Sequence, residues 1–173
     1  MNDKYELLTD DTVTAWNGVT LYRLRALRDF AAVATGDLGG YIERKANLDM
    51  SGDAWVSGDA RVSGDARVYG DARVSGDAWV YGDARVSGYA RVYDSAQVAG
   101  TRDWLVIGPI GRDSGTLTAF RCKDGIVRVT RGCFLGTLDD LDQASSESHV
   151  GEHVHHRAVY VAAIALIKAK FGA

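Results

Sequence analysis

Residues Ser51–Val98 read SGDAWV, SGDARV, SGDARV, YGDARV, SGDAWV, YGDARV, SGYARV, YDSAQV. Valine recurs every six residues from Val56 to Val98, and alanine precedes each valine by two, from Ala54 to Ala96. A period of six matches neither the 3.6 of a helix nor the 2 of a long plain strand. It fits a coil whose flat sides are six residues long. Within each side Ala-x-Val is a short strand, with Ala and Val facing the axis and x facing out. The Gly-Asp pair forms the corner, where glycine takes positive φ without a Cβ penalty and aspartate tolerates turns. Three such sides close a triangular prism with about eighteen residues per coil.

Stacking at that interval sorts the outward positions into ladders with rungs roughly 4.8 Å apart. One carries Trp55, Arg73 and Arg91, the next Arg61, Trp79 and Gln97, the third Arg67 and Arg85. Corner aspartates stack as well (Asp53 above Asp71, Asp59 above Asp77, Asp65 above Asp83), and the arginines offset their repulsion. Exposed pairs of this kind contribute only about 0–1 kcal/mol each, so the Asp-Ala-Arg pattern serves solubility and register first. The candidate contact residues for a partner are Trp55, Trp79, Tyr69, Tyr81, Arg67 and Arg85, because aromatic and arginine side chains dominate binding hot spots.

Upstream, Ile42 and Leu48 keep the spacing of six, and a two-residue slip then separates Leu48 from Val56. The solenoid is therefore assigned to residues 38–100, with 38–50 an irregular first coil, about three coils in all. So short a stack needs both ends covered. Residues 1–37 are expected to be an N-terminal β cap, with Asn17-Gly18 turning between a strand near Thr12–Ala15 and one near Val19–Leu27. Thr35–Gly40 reads as a turn feeding the first coil; no P-loop lysine follows it.

From Gly100 the period stops, and residues 101–173 are expected to form a small α+β domain serving oligomerisation or partner binding. Trp104–Ile107, Thr116–Cys122 and Ile126–Arg131 are strand-like, giving two or three antiparallel strands, with an Asp-Gly turn at Asp124-Gly125. Thr137 can cap a short helix over Leu138–Ala144, and Ser145–Ser148 reads as a polar break. A second helix, roughly 152–171, carries Tyr160, Ile164, Ile167 and Phe171 at helical spacing and is apolar almost all round. That stripe is the candidate oligomerisation surface, since three strands and a short helix look too little to cover it.

The 173 residues contain twenty glycines and one proline, with a net charge of −3. That charge argues against non-specific nucleic-acid binding. No apolar run approaches the roughly twenty residues that span a bilayer, and residues 1–30 lack a signal-peptide pattern. Two cysteines, Cys122 and Cys133, are too few for a disulfide scaffold and point to a reducing cytoplasm; both are expected to be small buried apolar groups.

Chemistry-bearing residues are sparse. All four histidines lie between His149 and His156; His149, His153 and His156 share a helical face with Glu152, in the pattern of inverted zinc peptidases. Gly151 disfavours a helix there, and no acid follows Glu152 as a third ligand, so these four are weak metal candidates and a solvated helix start is the expectation. No cofactor is called for.

The runs Leu21–Phe30, Gly36-Asp37-Leu38-Gly39-Gly40-Tyr41-Ile42-Glu43 and Asn47-Leu48, followed by the Gly-Asp-Ala-Arg-Val array, resemble hexapeptide-repeat proteins of bacteriophages and prophages. The family's array reads Gly-Asn-Ala-x-Val; this chain has aspartate in place of asparagine. Gly108–Gly111, Thr116–Phe120, Gly132–Phe134 and Gly136–Leu138 resemble the same proteins. The resemblance implies phage or prophage origin and a left-handed parallel β-helix, although general crossover rules favour the opposite hand. It brings no catalytic residues.

Hexapeptide solenoids also include acyltransferases and zinc-dependent carbonic anhydrases, which need histidines or inserted loops that these repeats lack. The expectation is a mainly β, non-enzymatic homo-oligomer, a trimer first, that blocks or sequesters a host component, such as one of antiviral defence, or a small anionic ligand. The alternatives are a structural or scaffold protein of the particle, and an acyltransferase or metal enzyme with a site between subunits.

Overall fold

Alternation of apolar and polar residues around Asn17-Gly18 yields a hairpin, β1 (Tyr5–Thr14) and β2 (Thr20–Ala26), turning where Gly18 has φ +81°. The computed structural model describes residues 3–148 and 154–172. Strand β2 pairs antiparallel with β3 (Leu38–Ile42), and β3 pairs in parallel with the second strand of the repeat array. The hairpin is thus continuous with one wall of the solenoid. Gly39 and Gly40 are buried in β3, where a Cβ on Gly39 would lie 2.7 Å from Leu24 Cβ and one on Gly40 2.5 Å from the Ala60 carbonyl oxygen. These glycines serve close packing.

The array forms eight two-residue strands: β4 (Trp55–Val56), β5 (Arg61–Val62), β6 (Arg67–Val68), β7 (Arg73–Val74), β8 (Trp79–Val80), β9 (Arg85–Val86), β10 (Arg91–Val92) and β11 (Gln97–Val98). They stack in parallel as three walls of a β-solenoid of about three turns: β3-β5-β8-β11, β4-β7-β10 and β6-β9. The register is that of the expected ladders. Every repeat Ala and Val has 0% exposure. Burying a valine contributes roughly 1.5–3 kcal/mol; alanine contributes less but keeps the axis narrow. Asp94 takes the repeat glycine's place in the last unit, at φ 59°.

The first coil is longer. Ile42 pairs with Val62 and Leu48 bridges to Val68, twenty residues apart in each case, against eighteen from Val56 to Val74. The two extra residues fall between Leu48 and Val56, after the single 3₁₀ turn Lys45–Asn47. The Asn47 side-chain amide donates to the Ala66 and Gly64 carbonyls at 2.8 and 3.0 Å, standing in for a missing backbone rung.

Where a wall ends, its outermost carbonyls lose the coil that would have bonded them, and buried carbonyls need donors. Lys4 supplies one: its ammonium donates to the Ala54 carbonyl at 2.6 Å and the Asp49 carbonyl at 3.2 Å, 4.7 Å from the centre of the Phe30 ring. The Tyr5 hydroxyl supplies another, to Leu48 at 2.7 Å and Lys45 at 3.0 Å. Both side chains are fully buried. Burial pushes the Lys4 pKa down to about 8 and the Tyr5 pKa up.

Residues Met1–Thr101 form one compact unit and Arg102–Ala173 another. The second is a four-stranded antiparallel sheet in chain order, β12 (Trp104–Ile110), β13 (Gly115–Arg121), β14 (Val127–Arg131) and β15 (Phe134–Thr137), with α1 (Leu138–Ser148) and α2 (Val154–Phe171) packed on it. Two expected boundaries need correction: β12 runs through Gly108-Pro109 to Ile110 with an irregularity, and β15 makes a fourth strand. Thr137 caps α1 as expected, its hydroxyl accepting from the Asp140 N–H at 3.2 Å while the Asp140 carboxylate accepts from the Thr137 N–H at 2.9 Å. Helix α1 continues through the expected break, since Ser145, Ser146 and Ser148 donate their hydroxyl protons back to carbonyls of the preceding turn.

The stripe Tyr160, Ile164, Ile167 and Phe171 was expected to face another subunit. It is buried in this unit's own core, against Leu117, Val129 and Leu141. The fourth strand and the longer α1 supply the missing cover. Exposed instead on α2 are Val159, Val161 and Leu166. Among the described residues no helix is long and apolar enough to cross a membrane.

Candidate binding face on the solenoid

The three outward ladders meet different surroundings. On the first, Trp55 is only 3% exposed, with its ring centre 5.4 Å from Phe30 and 6.5 Å from Tyr5, both edge-on. Its assignment as a partner contact is therefore corrected: non-repeating residues fold over it, and it belongs to the core. On the second, Trp79 is half-buried, 6.3 Å from Trp16 at the hairpin tip and 5.7 Å from Tyr81, with the Arg61 guanidinium 5.9 Å from its ring. Trp16 is 74% exposed. This aromatic ledge was half-legible: the turn at Asn17-Gly18 was evident, but its landing on Trp79 depends on the register of the hairpin against the solenoid.

The third ladder stays open. Arg67 and Arg85 are direct partners on β6 and β9, both exposed, and neither forms an ion pair with a described residue. With Tyr69, Asp49 and Ala46 they line a surface groove of about 390 Å³. Tyr69 stands at the corner leaving this wall and Tyr81 at the corner entering it. Two nearby acids have other partners: Asp65 pairs with Arg44 at 2.6 Å, and Asp49 accepts from the Ser51 N–H and hydroxyl at 3.1 and 2.8 Å. Two guanidiniums one rung apart beside a tyrosine can grip carboxylate or phosphate groups bidentately. Three of the six expected contact residues, Arg67, Tyr69 and Arg85, thus come together in one groove, Trp79 and Tyr81 meet on the adjoining ledge, and Trp55 is withdrawn. Missed were Asp49 and Ala46, which enter through the irregular first coil.

His149, Glu152 and His153 lie outside the described residues. His156 is half-buried on α2, its ring 3.8 Å from that of the exposed His155. Among the described residues no three His, Cys, Asp or Glu side chains gather as a metal site would require. Cys122 is buried, as expected, but Cys133 is exposed.

Residues 66–82 and 78–94 match a family model, the YdcK beta solenoid repeat. The two YdcK-like stretches overlap, cover less than half of the chain, and include Arg67, Tyr69 and Arg85. Their offset of twelve residues equals two sides of the prism, so the likeness follows the six-residue unit. No curated protein matches the chain.

Proposed function

We propose that this chain is a non-enzymatic, homo-oligomeric binding protein of phage or prophage type, and that its solenoid presents Arg67, Tyr69 and Arg85 to an acidic surface of a host component, which it blocks or sequesters. The observation that carries this reading is the stacked guanidinium pair on the uncovered wall, both members exposed, in one groove with Tyr69, and without carboxylate partners among the described residues. Arginine and tyrosine in such a setting are the residue types whose loss costs about 2 kcal/mol or more at an interface. Oligomer formation falls to the outward side of α2, where Val161 and Leu166 flank Ala158, Ala162, Ala165 and Ala169, small residues that let helices approach closely. A structural role in the particle is a second reading, favoured by that same apolar row.

Native mass spectrometry on protein purified gently from bacterial cells tests the proposal. The expected species is an integer multimer carrying one defined macromolecular partner, which the double variant Arg67→Glu, Arg85→Glu loses while keeping its multimer and its unfolding midpoint. A bare multimer that grows with concentration would favour the scaffold reading. Retention of the partner by the double variant would remove the groove from the proposal.

A further inference from the structure

The C-terminal unit contains a cavity that the solenoid groove does not account for. Its volume is about 310 Å³, at the lower end of the roughly 300–1,000 Å³ range in which small-molecule sites fall. One wall is apolar, built by Phe134 of β15 with Leu141 and Ala144 of α1. The other is polar, built by Arg112 in the turn after β12, Arg131 at the end of β14, and Tyr160 of α2.

The polar wall is held in place. Arg131 Nη2 donates to the Ile110 carbonyl at 3.0 Å, and its Nε is buried without an acceptor. Gly111 leaves room for the convergence: a Cβ there would lie 2.6 Å from the Tyr160 hydroxyl and 2.9 Å from Arg131 Nη2, so both groups crowd one point. Asp113 is shared by two guanidiniums, accepting from Arg112 Nε at 3.2 Å and standing 3.6 Å from Arg131 Nη1. Two positive charges against one negative leave the wall with one in excess. Its hydrogen bond from Arg112 holds the Asp113 carboxyl below the usual range, so the carboxylate stays ionised and the excess stays at one. An anchored guanidinium, a hydroxyl and a facing apolar wall are complementary to one acidic group on a small apolar body.

We propose that this cavity binds a small organic monoanion, its acid group on Arg131 and Arg112 and its apolar body against Phe134 and Leu141. Binding here is independent of the solenoid groove. Cys133 lines the same cavity and is exposed, whereas Cys122 is buried, so the rate of maleimide labelling at Cys133 reports occupancy in the intact protein. With phenylacetate as probe and a Kd near 1 mM, about 10 mM should slow labelling to roughly a tenth. Acetate (head only) and 2-phenylethanol (body only) should slow it far less.

Arg112→Gln removes the excess charge at an exposed position and should weaken phenylacetate about tenfold, leaving only about twofold protection at the same concentration. Ala144→Trp, which fills the apolar wall, should abolish protection without touching the charges. If phenylacetate gives no protection, if acetate or 2-phenylethanol protects equally well, or if both variants protect like the parent, the assignment is overturned.

Discussion

The solenoid and the C-terminal unit bury comparable side chains by different means. In the solenoid each inward valine sees nearly the same surroundings as the next, because each coil repeats the one before it. In the C-terminal unit no position repeats: Ile167 is buried because a particular sheet and a particular helix meet around it. Burial in the first is set by local spacing, and in the second by partners distant in sequence.

A charge at either centre gives the largest effect and separates the two cases. Val74→Asp places a carboxylate among Val56, Val92 and the axial alanines, and Ile167→Asp does the same in the C-terminal core; both positions have 0% exposure. An unpaired buried charge costs about 3–5 kcal/mol, a large share of a typical domain's 5–15 kcal/mol. Because coils contact only their neighbours, Val74→Asp should raise amide exchange first in the coils on either side. Ile167→Asp should raise it throughout the C-terminal sheet and helices together. A Val74→Asp protein that unfolds at the parent's urea concentration would contradict the inward placement of the valines.

The ends of the two structures differ as well, and Lys4 makes the difference titratable. Helix α1 is capped locally by Thr137 and Asp140, three residues apart, whereas the outer carbonyls of the solenoid depend on Lys4 and Tyr5, more than forty residues away. The Lys4 pKa is lowered from 10.5 to about 8 by burial; Asp49 and Asp53 oppose the shift, and Arg28 and Arg73 add to it. Between those values the unfolded chain holds a proton that the folded chain has released, so the unfolding free energy contributed by Lys4 rises with pH from about 8 to 10.5. The rise is at most about 3 kcal/mol. Lys4→Met should flatten it in urea titrations at successive pH values. A parent whose stability falls across that window, with no change on substitution, would show that Lys4 is not the group responsible.

The legibility of the sequence follows the same division. The three ladders, the inward Ala and Val, and the Arg67–Arg85 pair could be read because the spacing that predicts them is also the spacing that builds them. Trp55 could not, because Tyr5 and Phe30, which cover it, stand outside the repeat and reach it through the hairpin's register. The apolar stripe of α2 was visible as a stripe, but its partner was misplaced: Phe134–Thr137 is a four-residue strand with a glycine, too short to signal itself, and without it the sheet looked too small. The cavity beside Arg131 was equally hidden, since its walls come from two turns, two strands and two helices.

The smallest expected effect tests whether the repeat glycines are needed for their conformation alone. Gly70 has φ +68°, and a Cβ there would lie 3.2 Å from the Gly88 nitrogen in the next coil. Gly125, in the Asp-Gly turn of the C-terminal sheet, has φ +81° and nothing within 4 Å of its Cβ position. Alanine at Gly125 therefore meets only the left-handed backbone penalty of about 1–2 kcal/mol. Alanine at Gly70 meets the same penalty and also presses on a coil that can move away only by lengthening its rungs, so it should cost about 1 kcal/mol more. Equal losses at the two sites in parallel urea titrations would mean that the coils have slack at their corners. In that case the seven repeat glycines would be explained by positive φ alone, and Asp94, which holds a side chain at φ 59° in the last unit, would mark how readily aspartate takes that conformation.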